Sequence, residues 1–150
     1  ILSLFFLLQA CATPYQKKSS MGGFSETQLS ENAFTVNFRG NGYTDNERAT
    51  DFTLLRSAEL TLEHGYRFFV IIDNKSWTKN SSVTSPTTYN TQGNAYNSTT
   101  YASGGQTFNI SKPRTSNTII CYKDKTEGFS YDATFIRKSL RAKYELDKTP

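Results

Sequence analysis

A helix pattern with clear signals at both ends is the feature that most restricts the fold of this chain. Thr44 and Glu47 form a capping-box pattern at one end, and Gly65 is a typical stop signal at the other. Between them, apolar residues recur at spacings of three or four, as in a helix that buries one face: Ala49, Phe52, Leu55, Ala58 and Leu62. The pattern predicts a helix over about residues 45–64.

Two apolar segments flank this helix and have the character of β-strands. Residues 33–39 alternate between apolar and polar side chains, which predicts a strand with one buried face. Residues 66–73 are almost continuously apolar, which predicts a central strand of a sheet. Because strand, helix and strand follow one another, we expect a right-handed βαβ crossover.

The last third of the chain predicts two further strands and a second helix. Residues 106–110 and 118–123 have strand patterns on either side of a turn at Pro113–Asn117. A helix is predicted over about residues 132–145. Four basic residues occupy its polar faces: Arg137, Lys138, Arg141 and Lys143. The predicted fold class is α+β, with a single small mixed β-sheet packed by two helices.

Residues 74–105 differ in composition from the segments around them. Threonine, serine and asparagine occupy 18 of these 32 positions, and acidic residues are absent. Such a segment buries too little apolar surface to offset the entropy lost on ordering, which predicts a flexible polar insertion. The alternative is a long polar hairpin, because tyrosines lie among β-favouring threonines. Tyr89, Tyr96 and Tyr101 would then be candidates for stacking on sugars.

The chain opens with an uncharged apolar run that ends at a cysteine. Ile1–Leu8 has the length of a signal-peptide core and is too short to span a bilayer, which needs about 20 residues. Leu8-Gln9-Ala10-Cys11 looks like a lipobox, in which the cysteine is acylated and becomes the mature N-terminus. We therefore expect a signal-peptide remnant over 1–10, a lipidated N-terminus and flexible tether over 11–23, and a single α+β domain over 24–150.

The second cysteine, Cys121, lies within an apolar run. If Cys11 carries lipid, Cys121 has no partner, and a buried inert thiol is expected. A disulfide between the two cysteines is the competing interpretation.

Four further segments carry recognisable motifs: a GGYS-type segment at 22–25 with Phe24 in place of the tyrosine, a GNGYT turn at 40–44, an LLR-x-AEL helix core at 54–60, and a GYRYF-type strand at 65–69. Together with the lipobox, these motifs resemble a family of small uncharacterised lipoproteins of the Gram-negative cell envelope. The resemblance is close over residues 11–72. It implies acylation of Cys11 and a membrane anchor, and it implies no particular activity. Ala12, where aspartate would favour retention in the inner membrane, favours the outer membrane.

The sequence shows no catalytic constellation, metal-ligand spacing or cofactor fingerprint, so no catalytic, metal or cofactor site is expected. The single histidine, His64, lies in the last turn of the first helix, where it is expected to contact the helix C-terminus. Asp51 lies beside the apolar stripe of that helix. We expect it either to lie at the rim of the core or to form a buried charge pair with an arginine, such as Arg48, Arg39 or Arg67.

These features predict a lipid-anchored envelope protein with a non-enzymatic binding or scaffolding role, on the periplasmic face of the outer membrane. Its expected partners are the membrane, through the acyl chains, and an envelope protein or the cell wall. Nucleic acid is not expected there. The basic second helix, with Arg137, Lys138, Arg141 and Lys143, is the candidate surface for contact with anionic lipid or a partner. The alternative is an envelope hydrolase subunit with a carboxylate site near Asp51.

Overall fold

The computed structural model describes residues 11–148, and within them the chain forms two helices and seven strands. In chain order these are β1 (Gly23–Ser30), β2 (Ala33–Arg39), α1 (Asn46–Glu63), β3 (Phe68–Thr84), β4 (Thr88–Asn94), β5 (Asn97–Ser103), β6 (Thr107–Tyr122), β7 (Tyr131–Asp132) and α2 (Ala133–Lys143). The predicted α+β class is confirmed. The described chain divides into two compact units. Asn80–Ser111 form one unit, and the residues before and after this segment form the other.

The larger unit is built on a five-stranded sheet with the order β1-β2-β6-β3-β7. β1 and β2 form an antiparallel hairpin, and β2 pairs antiparallel with β6. β3 and β6 are also antiparallel. Three side-chain hydrogen bonds join them, and the residue numbers rise along β3 as those of their partners fall along β6: Asn74–Asn117, Asn80–Ser111 and Ser82–Asn109. β2, α1 and β3 therefore form a βαβ unit whose two parallel strands are separated by β6.

The middle strand of the five is β6, and β3, which contains most of the predicted segment 66–73, lies beside it as an internal strand. β3 has only the two-residue strand β7 as its outer neighbour. The predicted turn at residues 113–117 is wrong, since β6 runs through it without a break. Residues 114–120 of β6 pair with β2, so Pro113 lies just outside this ladder. Proline is tolerated there because its missing N–H interrupts no hydrogen bond between the two strands.

The helices cover one face of the sheet and bury two apolar clusters. The larger cluster joins α1 to the middle of the sheet: Phe34, Val36, Ala58, Leu60, Phe69, Ile119, Cys121 and Ala133. The smaller one lies toward the N-terminal end of α1: Phe24, Phe38, Ala49 and Phe52. The inward-facing positions of β2 are those that the alternating pattern predicted.

The ends of α1 follow from local chemistry, with one correction. The N-cap is Asp45, whose side chain accepts a hydrogen bond from the backbone N–H of Arg48 at 2.7 Å, whereas the capping-box pattern predicted Thr44. At the other end Gly65 adopts a φ of +79°, and its N–H donates to Leu62 O. His64 Nδ1 lies 3.0 Å from Leu60 O, which confirms the predicted contact with the helix C-terminus.

The smaller unit, Asn80–Ser111, is a polar ribbon that contains the β4–β5 hairpin. Between a flexible loop and a hairpin, the structure therefore favours the hairpin for this part of the chain. Tyr89 lies opposite Ala102, and Tyr101 lies opposite Asn90. Because adjacent strand positions point to opposite faces, the two tyrosines lie on different faces of the hairpin and do not form one stacking platform.

Candidate lipid-attachment site

Residues 12–23 are packed into the larger unit, although the sequence predicted a flexible tether. Ala12 and Thr13 are both buried, and Thr13 is fully inaccessible to solvent. Farther along, the N–H of Lys18 donates to Phe24 O at 2.7 Å, and the N–H of Phe24 donates to Gln16 O at 2.8 Å. The polar and glycine-rich composition that suggested flexibility instead provides close backbone approach and hydrogen-bonding side chains.

Thr13 is held by three hydrogen bonds to the turn between β2 and α1 and to the segment before β1. Its N–H donates to Thr44 Oγ1 at 3.0 Å, and its hydroxyl donates to Met21 O at 3.1 Å. The same hydroxyl accepts from the backbone N–H of Asn41 at 2.8 Å. A buried hydroxyl with all of these partners satisfied makes this a specific docking position.

Asn41 connects this docking position to Cys11. Its side-chain amide donates to Cys11 O at 2.8 Å, while its Oδ1 accepts from the N–H of Tyr43 at 3.0 Å. Cys11 itself is exposed and its thiol is free. The cysteine therefore projects from the surface at a defined place, one residue before the chain becomes buried.

Gly22 allows the segment to approach β2 closely. A Cβ at this position would lie 2.3 Å from Arg39 O and 3.0 Å from Thr13 Cγ2, and its φ is +98°. Both the space and the backbone conformation therefore require glycine. The GG motif, the GNGYT turn and the residues after Cys11 meet at this one place, which we call the anchor dock: Cys11, Thr13, Gly22, Asn41 and Thr44.

Replacing Gly22 by alanine is expected to release the anchor dock while leaving the sheet folded. The new methyl group meets a backbone carbonyl that cannot move without disturbing β2, and the positive φ adds strain. Limited trypsin digestion should cleave after Lys17 or Lys18 about tenfold faster or more, as a local opening made ~1.4 kcal/mol easier would allow.

Gly128→Ala is the matched control, because its φ is +81° and nothing lies within 4 Å of the added carbon. It shares the strain without the collision, so its N-terminal segment should be cleaved at the wild-type rate. Equal cleavage of Gly22→Ala and wild type would contradict the docked arrangement.

The docked segment is joined to both helices by a polar network. The Tyr15 hydroxyl donates to Glu59 Oε2 at 2.5 Å. Glu59 in turn accepts from Arg141 of α2 at 2.8 Å. The pKa of Tyr15 is raised well above its usual range, first by burial and then by the hydrogen bond to Glu59. Tyr15 is thus a neutral donor at any physiological pH and ties the N-terminal segment to α1.

Asp51 forms its ion pair with a lysine, and the predicted pair with Arg48 is replaced. Lys143 Nζ lies 2.6 Å from Asp51 Oδ2, and the Tyr144 hydroxyl donates to the same oxygen at 2.7 Å. The guanidinium of Arg48 lies over the rings of Phe52 and Tyr144. Asp51 therefore joins α1 to α2 at the rim of the core.

The four basic residues of α2 differ in their surroundings. Arg141 is paired with Glu59 and Asp147, each at 2.8 Å. Lys143 is paired with Glu47 at 2.7 Å as well as with Asp51. Arg137 and Lys138 are exposed. Much of the positive charge that the sequence assigned to a lipid- or partner-binding face is therefore balanced by carboxylates of the same chain.

The predicted burial of the Cys121 thiol is confirmed. Its side chain is almost fully inaccessible, and both cysteines are free, so the alternative disulfide is wrong for this structure. Burial raises the pKa of the Cys121 thiol, and the hydrogen bond with Thr61 only partly offsets this. Because the thiolate is the reactive form, we expect Cys121 to react slowly with oxidants and alkylating reagents.

No sequence pattern indicated Thr13 and Asn41 as docking residues. The available signal was the GNGYT motif at 40–44, which predicted a turn but not the segment that the turn holds. Among residues 11–148, neither helix is long and apolar enough to cross a bilayer. The chain matches no protein-family model, no curated protein and no solved structure.

Proposed function

We propose that this protein is a lipoprotein of the bacterial cell envelope, anchored to the outer membrane through acyl chains on Cys11, with a non-enzymatic binding or scaffolding role on the periplasmic side. The observation that carries the proposal is the position of Cys11. The residue that the lipobox-like sequence marks for acylation is exposed, and its carbonyl is held by Asn41. An acyl group on this thiol would extend into solvent or lipid without disturbing any buried contact.

The anchor dock determines how close the folded unit would lie to the membrane. Because Thr13 is fully buried two residues after Cys11, the folded unit would lie directly at the membrane surface. A flexible tether would instead allow the domain to sample a wide range of distances and orientations. A docked anchor suits a protein that presents one defined face to the membrane and another to a partner.

The carboxylates around Asp51 support a structural role. Asp51 accepts from Lys143 and Tyr144, Glu59 accepts from Tyr15 and Arg141, and Glu63 accepts from Arg56. These cations and hydroxyls belong to the same chain and join α1 to α2 and to the N-terminal segment. Their positions account for these residues without requiring a substrate.

The test is the intact mass and membrane partition of the full-length protein made in a Gram-negative host, with Cys11→Ser alongside it. The wild-type product is expected to lack the residues before Cys11, to carry the mass of its acyl groups and to sediment with membranes. Cys11→Ser should show neither change, because serine offers no thiol for acylation.

Cys121→Ser is the matched control. It removes the buried thiol and should be processed and anchored like the wild type. Unmodified, soluble product from all three genes would refute the proposal and would favour a freely secreted protein.

A further inference from the structure

The face of the sheet turned away from the helices is strongly basic near the anchor dock. Phe38 on β2 and Thr115 on β6 are buried beneath the helices, so their neighbours Arg39 and Arg114 point to the opposite face. Arg39 and Arg114 lie directly opposite each other in the β2–β6 register. On β3 the same face carries Trp77.

These side chains border a cavity of about 190 Å³ within the larger unit. Its lining includes Arg39, Arg114 and Trp77, with the polar side chains of Ser25 and Asn37 beside them. Phe38 and Thr115 complete the lining, and none of the described residues that line the cavity is acidic. A volume of this size holds a small group such as a phosphate with part of its substituent.

The two arginines have no counter-charge among residues 11–148. Neither forms an ion pair there, whereas Arg56 has three carboxylates within 4 Å and Arg141 has two. The Nε atom of Arg114 is buried and lacks a hydrogen-bond partner in the described chain. Like charges placed directly opposite each other destabilise a sheet, so an anion bound between Arg39 and Arg114 would relieve their mutual repulsion.

Lysines extend the positive charge along the same strands. Lys75 and Lys79 lie two residues before and two residues after Trp77, and side chains at this spacing share a face. Lys112 has the same relation to Arg114. Asp73 lies 3.4 Å from Lys75 and offsets part of this charge. We call this surface, formed by Arg39, Lys75, Trp77, Lys79, Lys112 and Arg114, the basic sheet face.

We propose that the cavity of the basic sheet face binds the phosphate of an anionic lipid headgroup in the membrane that carries the anchor. Guanidinium groups bind phosphate through paired N–H donors, and an indole at the rim is suited to the boundary between headgroups and acyl chains. Arg39 precedes Asn41 by two residues, a chain distance on the order of 7 Å. Because Asn41 holds Cys11, the cavity and the acylated residue belong to the same end of β2.

The choice of lipid as the source of the phosphate rests on the proposed anchor. The cavity and its charges are features of the structure that do not depend on acylation. The proposal assigns lipid contact to the sheet face and not to α2, whose Arg141 and Lys143 are neutralised by carboxylates. It deepens the proposed function by specifying which face of the protein lies against the membrane.

Trp77 is the single tryptophan of the sequence, so its fluorescence reports directly on the cavity. Full-length protein, purified from its host in a neutral detergent, is titrated with micelles containing phosphatidylglycerol, with micelles containing zwitterionic phosphatidylcholine, with inorganic phosphate and with a single-stranded oligonucleotide. Phosphatidylglycerol is expected to produce a saturable change in Trp77 fluorescence at a lower concentration than any of the other ligands. Arg39→Gln and Arg114→Gln should each weaken this binding about tenfold, as loss of a charge-assisted contact implies.

Arg137→Gln is the matched control, since Arg137 is an exposed arginine of α2. It should leave the titration unchanged. Arg39 is itself exposed, so Arg39→Gln is expected to fold even if Arg114→Gln does not; circular dichroism of each variant establishes this.

The remaining outcomes separate the parts of the proposal. Equal affinity for inorganic phosphate and phosphatidylglycerol would overturn the lipid source and leave an anion site. A response to single-stranded oligonucleotide but not to lipid would overturn it in favour of a nucleic-acid surface. No response to any anion, or equal weakening by Arg137→Gln, would overturn the site itself. None of these results bears on acylation, which the mass of Cys11→Ser measures independently.

Discussion

Replacing Arg56 by alanine is expected to lower the free energy of unfolding by about 3 kcal/mol. The guanidinium is almost buried and lies over the ring of Phe24. It binds Glu26 and Glu63 at 2.8 Å each, and Glu59 lies 3.7 Å away. Burial alone would lower the pKa of Arg56, but the hydrogen bonds to Glu26 and Glu63 outweigh it and raise the pKa.

The expected loss is large because alanine leaves three carboxylates near one another without their cation. It is at the lower end of the range for buried pairs because Glu63 is half exposed and water can reach it. Urea denaturation followed by circular dichroism measures the change. Arg56→Met separates charge from bulk: if the charge dominates, methionine should be almost as destabilising as alanine.

Arg67→Ala is the matched control for this prediction. Its side chain is 63% exposed and its ion pair with Asp132 is 3.2 Å long, so its removal should cost less than about 1 kcal/mol. If Arg56→Ala and Arg67→Ala lowered the free energy of unfolding equally, the Arg56 cluster would be an ordinary surface network of ion pairs.

Replacing Phe52 by alanine is expected to lower the free energy of unfolding by about 3–5 kcal/mol. Phe52 is fully buried, and its ring centroid lies 5.3 Å from Phe38, 5.2 Å from Tyr15 and 4.8 Å from Tyr144. Truncation leaves a cavity between the sheet, both helices and the docked segment. Because Tyr15 loses part of its support, cleavage by trypsin after Lys17 should also become faster.

Phe135→Ala is the corresponding control, since this phenylalanine of α2 is 68% exposed. Its effect on unfolding should stay within about 0.5 kcal/mol. A loss below about 1 kcal/mol for Phe52→Ala would contradict the packing of this cluster, because a surface position loses no more than that.

The elements that the sequence predicted well are those whose pattern is complete within a short stretch of chain. β2 begins and ends at the predicted residues, and both helices agree to within about two residues. β1 was missed because it is an edge strand whose later residues are exposed on both faces, so no apolar alternation marks it. β6 was divided by the presence of Pro113, whose tolerance depends on where β2 ends.

In the candidate site, too, local patterns were predictable and contacts between distant residues were not. The lipobox-like run identified Cys11, and turn chemistry identified residues 40–44, but neither pattern shows that Asn41 holds the backbone of Cys11 across 30 positions of sequence. The predicted arginine partner of Asp51 was wrong because Lys143, 92 positions away, is brought to it by the packing of α2 on α1.

The sequence by itself determined β2, the extent of both helices to within about two residues and the polar character of the middle segment. It also carries the prediction that Cys11 is acylated. These depend on periodicity and on hydrogen bonds between neighbours, which contiguous residues encode. The tertiary structure decided the strand order, the docking of residues 12–23, the partners of the buried charges and the meeting of Arg39, Arg114 and Trp77 on one face. Those depend on the register between distant segments, which is set by the packing of the whole unit.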